Sequence, residues 1–271
     1  MFVGTYLTMK IKKSSQRPRP EFVTLDALEM WLACRLRWKL TRDQPPDAEP
    51  PPWEHLQKCI LDSVLHYHRL RAQIGKVHYV AVQEFFWDMF ERQSHDASQR
   101  YDRPGDRARD MRAGEAVLEK YVAMCPAEAP QLLGTGLFLK TQVPGILVRI
   151  QVRADFLRLG LIPVLLKVTR ESPDALLEAF RLAPWAAAIT SAIQEQFGRA
   201  PQSLEAIYFV ANESPEVVRL TIPFAPSETP AKLHHWLTAF SGSQVDEAVF
   251  PMPGSHCAFC PFREPCAKWP K

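Results

Sequence analysis

The stretch "LVRIQVRADFLRLGLIPVLLKV", residues 147–168, changes its pattern halfway through. Val148, Ile150 and Val152 fall on one side, and Arg149, Gln151 and Arg153 on the other. A period of two is that of a strand with one buried side. After Gly160, "LIPVLLKV" (161–168) is a nearly continuous apolar run, as expected of a strand covered on both faces. Pro163 limits its pairing near the start. Asp155 stands late in the first run and Lys167 late in the second. A charge ending a buried strand needs a partner or a water-filled cleft.

The flanking sequence fills in the layers around this pair. Downstream come a helical segment from about 174 to 197, two β-rich runs, "LEAIYFV" (204–210) and "VVRLTIPF" (217–224), and a short helix around 229–240. Upstream the periodicity is helical. Thr24 is placed to cap a helix whose stripe is Leu25, Leu28, Leu32, Leu36 and Leu40. Trp53, Leu56, Ile60, Val64 and Tyr67 make a second stripe, and Ile74, Val77, Ala81, Phe85 and Met89 a third. A fourth helix is expected over 111–124. Residues 1–20 read as a strand fragment and a basic linker. The proline-rich stretch 42–52 and the polar stretch 92–110 read as loops. The order predicts one domain over 1–271: a mostly helical part (24–136), an α/β core with a mixed sheet (137–225), and a closing helix with a cysteine-rich segment (226–271).

With 271 residues, 46% of them apolar, the chain is long enough to bury a full core. No apolar run approaches the roughly 20 residues that cross a bilayer. The start, "MFVGTYLTMKIKK", puts its apolar stretch before its charges, the reverse of a secretory signal. The expectation is a cytoplasmic protein with no membrane segment. A net charge of +3 identifies no partner by itself. Its distribution says more, because "KIKKSSQRPRP" (10–20), "CRLRWKLTR" (34–42) and "HRLRAQIGK" (68–76) are basic runs with interleaved aromatics. Such runs can follow a phosphate backbone, and they can equally be solvated helix faces. Trp38 is a candidate for stacking on a base or for the core.

Six cysteines in a large chain expected to be cytoplasmic point to metal chemistry before disulfides. Three of them lie in "HCAFCPFREPC" (256–266), with the spacing C-x2-C-x5-C. A zinc ribbon uses two C-x2-C knuckles, and only one is present. The longer gap, with Pro261 and Pro265 inside it, suits a loop around something larger than an ion. A [4Fe–4S] cube takes four thiolates. Cys34, Cys59, Cys125 and His256 are the candidates for the fourth ligand, and zinc stays open as the alternative metal.

"LDALEMWLACRLRWKL" (25–40) followed far downstream by "CAFCPFREPC" (257–266) resembles the RecB-like PD-(D/E)xK nucleases with a four-cysteine iron–sulfur cluster. That group includes CRISPR-associated RecB-like exonucleases and the AddB nuclease subunit. The resemblance runs from about residue 24 to 269. It implies that Cys34, Cys257, Cys260 and Cys266 hold a [4Fe–4S] cluster joining the two ends of the chain. Cys59 and Cys125 are then plain core cysteines. It further implies Mg2+ or Mn2+ chemistry on DNA, with His78 as the upstream histidine, Asp155 as the metal-binding aspartate and Lys167 as the lysine.

The departures from that pattern are specific. The acid two residues before Lys167 is Leu165, which cannot ligate a cation. The family's Gln-x3-Tyr aligns with Arg181 and Trp185, and the glycine of its G-x-x-D with Val152. The resemblance thus implies a catalytically degenerate DNA-binding protein, acting on single strands or ends with protein partners in DNA processing or prokaryotic defence. The alternative is an active DNase whose missing acid is Glu178 on the following helix, joining Asp155 and His78 at the metal. A third reading is a scaffold subunit that binds no nucleic acid.

Overall fold

The structure is a computed structural model and describes residues 22–43, 52–92, 101, 104–125, 132–146, 148–171, 176–177, 180, 184–223, 229–243, 249–254, 257 and 260–267. The segment 1–20, Glu178, Arg181 and His256 lie outside them. Strand β1 (Phe22–Thr24) runs straight into helices α1 (Leu25–Ala33) and α2 (Arg35–Asp43). Then come α3 (Pro52–Ile74), α4 (Tyr79–Arg92), α5 (Pro104–Met124), β2 (Leu132–Gln142), β3 (Arg149–Arg158) and β4 (Ile162–Thr169). The chain continues through α6 (Pro184–Phe197), β5 (Ser203–Val210), β6 (Glu216–Pro223), α7 (Thr229–Ser243) and α8 (Arg263–Ala267).

The six strands make one mixed sheet in the order β1-β3-β4-β5-β6, with β2 also paired to β3. The pairs β2–β3, β3–β4 and β5–β6 are antiparallel, while β1–β3 and β4–β5 are parallel. The parallel β4–β5 step requires a crossover, and the chain supplies it with the segment containing α6. This is the mixed α/β architecture expected from the sequence. Strand β2 begins at Leu132, ahead of 137, and pairs β3 as far as Gln142, while β1 joins the sheet from Phe22–Thr24.

Two apolar cores flank the sheet. The first holds Leu28 and Trp31 of α1, Ile189 and Ile193 of α6, Leu233, Leu237 and Phe240 of α7, and Ile150, Val152, Ala154, Ala206, Tyr208 and Val210 from the strands. The second holds Leu56, Ile60 and Val64 of α3, Phe86 and Phe90 of α4, Val117 and Leu118 of α5, and Val164, Leu166, Val168, Ile207 and Phe209. Strand β3 feeds both, since Ala154 joins the first and Phe156 the second. Asp155 stands at that seam.

Several helix boundaries differ from expectation for local reasons. The single helix expected over the leucine stripe breaks at Cys34, whose backbone is extended (φ −160°, ψ 109°). Its start is as expected, with the Thr24 hydroxyl accepting from the Ala27 N–H at 3.3 Å. The third stripe is out of phase. Ile74 ends α3 before the Gly75 turn and is exposed, and the buried positions of α4 are Val82, Phe86 and Phe90. The segment 77–90 is apolar nearly all round, so docking chooses its face. Residues 104–110 are helical, not loop, because Pro104 opens α5 at the position where proline is favoured. Of the expected helix 174–197, the regular part is Pro184–Phe197. No helix among the described residues is long and apolar enough to cross a membrane.

Candidate active site

Strands β3 and β4 pair from Arg158↔Ile162 to Phe156↔Val164 and then part. From Val164 onward β4 pairs with β5 in parallel, while β3 runs on to pair with β1 at 149–151. A gap opens between them, and Asp155 fills it. Its Oδ2 accepts the Leu166 backbone N–H at 2.8 Å, replacing the ladder carbonyl that Leu166 lost when the strands diverged. Its Oδ1 faces Arg153 Nε at 3.0 Å. Burial raises the Asp155 pKa, the Leu166 N–H and Arg153 pull it back, and Asp26 adds to the rise.

Lys167 is exposed and lies opposite Tyr208 of β5. Helix α1 brings carboxylates to it. Burial raises the Glu29 pKa, Lys167 opposes that rise, and Asp26 reinforces it. Tyr208 is pushed up to about 12 by burial first, then by Glu171 and Glu29. The structure therefore gathers Asp26 and Glu29 from α1, Asp155 from β3, Lys167 from β4 and Tyr208 from β5. Leu165, in the expected acid position, is half-buried against the first core.

Glu29 is the residue that motif reading missed. The signal for it was present in "LDALEMWLAC", where Asp26 and Glu29 are three apart and so share a helix face. His78 does not join the group. It is exposed in the turn before α4, a helix that packs in the second core, and no hydrogen bond or ion pair links it to Asp155 or Lys167. Trp185, at the expected tyrosine position, is buried and donates from Nε1 to the Arg153 carbonyl at 2.8 Å. It anchors the strand beside Asp155.

Cys34, Cys257, Cys260 and Cys266 line one cavity of about 90 Å³, several times the space a water molecule needs. Leu36, Leu40, Met252 and Phe262 make its apolar wall, and Arg37 and Arg263 its basic part. The Arg37 backbone N–H points at the Cys34 Sγ at 3.5 Å. Desolvation pushes the Cys266 thiol up, followed by Cys34, Cys260 and Cys257. Among the described residues no group of three or more His, Cys, Asp or Glu is arranged to hold a metal ion. The cavity thus brings the four thiols together beside the Arg37 and Arg263 side chains. Cys59 is fully buried in the second core, and its thiol is pushed up to about 12, mainly by burial.

The basic runs divide. On α2, Arg35 lies over the Trp31 ring (4.8 Å) and Arg42 over Trp38 (4.7 Å). Trp38 is 7% exposed and packs edge-on against Phe240, so it is a core residue rather than a base-stacking one. In the run 68–76, His68 and Arg71 are buried, so that run is not a continuous basic face.

The chain is similar in structure to a crystal structure described as a "Putative exonuclease" from Eubacterium rectale, with a TM-score of 0.54 and 11% identity over 95% of this chain and 93% of that one. At that identity the likeness concerns the fold alone. A second solved structure, described as SSO0001, is 14% identical over 88% of this chain and 96% of its own, with a TM-score of 0.34, too low to speak for a shared fold. No family model matches the chain, and no curated protein matches it in sequence.

Proposed function

We propose that this protein is a DNA-binding member of the RecB-like PD-(D/E)xK group whose catalytic centre is degenerate. It would act with protein partners in DNA processing or prokaryotic defence. One observation carries the reading. Asp155 has both oxygens engaged, one by the Leu166 N–H and one by Arg153, and Leu165 stands where a second acid is needed. A carboxylate already neutralised by a guanidinium is a poor cation ligand, and one carboxylate makes a weak Mg2+ site.

The four cysteines would hold a [4Fe–4S] cluster. Bound there, it supplies iron–thiolate bonds between the α1–α2 junction and the C-terminal segment. The chain's own part is to present Cys34 at a helix break, to aim the Arg37 N–H at its sulfur, and to wall the site with apolar side chains.

A second reading is favoured by the electrostatic coupling of Glu29 to Lys167. In an active enzyme the missing acid would come from α1, with Glu29 as the candidate. The deciding experiment is Mn2+-dependent degradation of end-labelled single-stranded DNA by anaerobically purified protein, alongside Lys167→Ala and Glu29→Ala. The expected result is binding without cleavage by a protein whose iron content and visible absorbance disappear in Cys34→Ala. Cleavage by the wild type that both Lys167→Ala and Glu29→Ala abolish would overturn the degenerate reading.

A further inference from the structure

The rows of side chains on β1, β2 and β3 show a face that no helix among the described residues covers. Register aligns Phe22 and Gln142 on either side of Arg149, Thr24 and Lys140 on either side of Gln151, and Phe138 beside Arg153. The alternate residues Val23, Leu139, Ile150 and Val152 point into the first core. Phe22, Thr24, Phe138, Lys140, Gln142, Arg149 and Arg153 are all exposed. Phe138 is 63% exposed and Phe22 37%. Each ring has a cation over it, with Lys140 Nζ 4.7 Å from the Phe22 centroid and Arg153 Cζ 6.0 Å from that of Phe138.

Two features give this face a direction. The row Arg149, Gln151, Arg153 continues to Asp155, the carboxylate that Arg153 pairs with. Across from Asp155 on β2 the residue is Gly136, where an added Cβ would meet nothing within 4 Å. Gly136 therefore adds no side chain on β2 beside that row. The exposed face carries three cations, two aromatic rings and polar side chains, and the acid beside it, Glu195, accepts from the Gln142 N–H at the outer edge of β2.

We propose that this face is a platform for single-stranded DNA, with bases stacking on Phe22 and Phe138 and phosphates bound by Lys140, Arg149 and Arg153, so that the strand is led to Asp155. The inference rests on the DNA-binding reading above and deepens it. Flat rings with flanking cations suit unpaired bases, whose faces are free, whereas a duplex offers only its backbone and groove edges. The chain's own segment 10–20 is a poor occupant, because its run "KIKKSSQRPRP" carries the same sign of charge.

The test uses the full-length protein and a fluorescently labelled oligothymidylate, with anisotropy read at several salt concentrations. Phe22→Ala and Phe138→Ala are each expected to weaken binding about tenfold, with the salt slope unchanged. Arg149→Ala and Lys140→Ala are each expected to lower the slope of log K against log salt by about 0.7. Unlabelled duplex should compete poorly. If the wild type binds and both phenylalanine variants bind within about twofold of it, or duplex competes equally well, the platform is overturned while DNA binding stands. A wild type that does not bind overturns both. Thermal unfolding of the same variants guards the result, since loss of stability in place of affinity would mean that the rings pack against the chain itself and would also overturn the proposal.

Discussion

Glu205 and Asp155 are two carboxylates on one sheet, 6% and 7% exposed, and each is paired with arginine. Glu205 is closed off. Arg158 Nη1 donates to both of its oxygens at 3.0 and 2.8 Å, and Arg219 Nη2 adds a third bond at 2.8 Å. Around it, His68, Tyr121 and Phe156 form the wall of a small pocket, with His68 Nε2 2.6 Å from the Tyr121 hydroxyl. Asp155 has one arginine and one backbone N–H, that of Leu166 on β4. Where a strand pair is complete, the buried charge is saturated by neighbours in the sheet. Where the strands part, the charge is equally buried but meets one guanidinium in place of two, and a backbone N–H of β4 takes its other oxygen. If that contrast is right, the Glu205 end serves stability and the Asp155 end serves a ligand.

The largest test uses pH at the closed end. The His68 pKa is lowered to about 4, first by burial and then by Arg71 and Arg158. Its folded value lies below its ordinary 6.5, so between those pH values the unfolded chain binds more protons than the native one. The stabilising contribution is present above 6.5 and is lost as the pH falls toward 4. The full shift corresponds to a loss on the order of 3 kcal/mol. Urea denaturation at several pH values should show it, and His68→Gln, which can still meet the Tyr121 hydroxyl, should flatten the profile. A wild-type profile that is already flat from 6.5 to 4 would show the pocket to be wetter than its packing indicates.

Next in size is Glu205→Gln. It removes the charge facing two guanidinium groups while keeping the side-chain shape. A fully buried pair broken on one side costs about 3–5 kcal/mol. Arg158 and Arg219 remain 29% and 40% exposed, so about 2 kcal/mol is expected, read as a lower urea midpoint at pH 7. A loss below about 0.5 kcal/mol would erase the difference between the two ends.

How far this arrangement could be read beforehand follows the range of the interactions. Strand β3 with its Arg149, Gln151, Arg153 face was legible, because alternation is a local pattern that one buried side imposes. So was β4 up to Lys167, and so was the cap at Thr24. The break at Cys34 was not, since the helical stripe runs through it and only the position of the distant Cys257, Cys260 and Cys266 gives the extended residue a purpose. The phase of α4 was hidden for a similar reason: its buried positions, Val82, Phe86 and Phe90, are selected by packing in the second core. Glu29 was missed although its spacing from Asp26 was in view, because what singles it out is Lys167, brought to it across the sheet.

The smallest effect is expected where the contrast is sharpest. Asp155→Ala deprives the Leu166 N–H of its acceptor and releases Arg153. An orphaned buried donor costs about 1–3 kcal/mol. Here the lower end applies, because the Arg153 side chain, already 45% exposed, can turn to solvent. The expected loss is about 1 kcal/mol by urea denaturation at pH 7, clearly less than for Glu205→Gln. The same substitution leaves Arg153 free to hold a phosphate, so affinity for single-stranded DNA should stay level or rise. Equal destabilisation at both carboxylates, together with weakened DNA binding, would make Asp155 a structural residue of the same kind as Glu205. The open end of the sheet would then need another explanation.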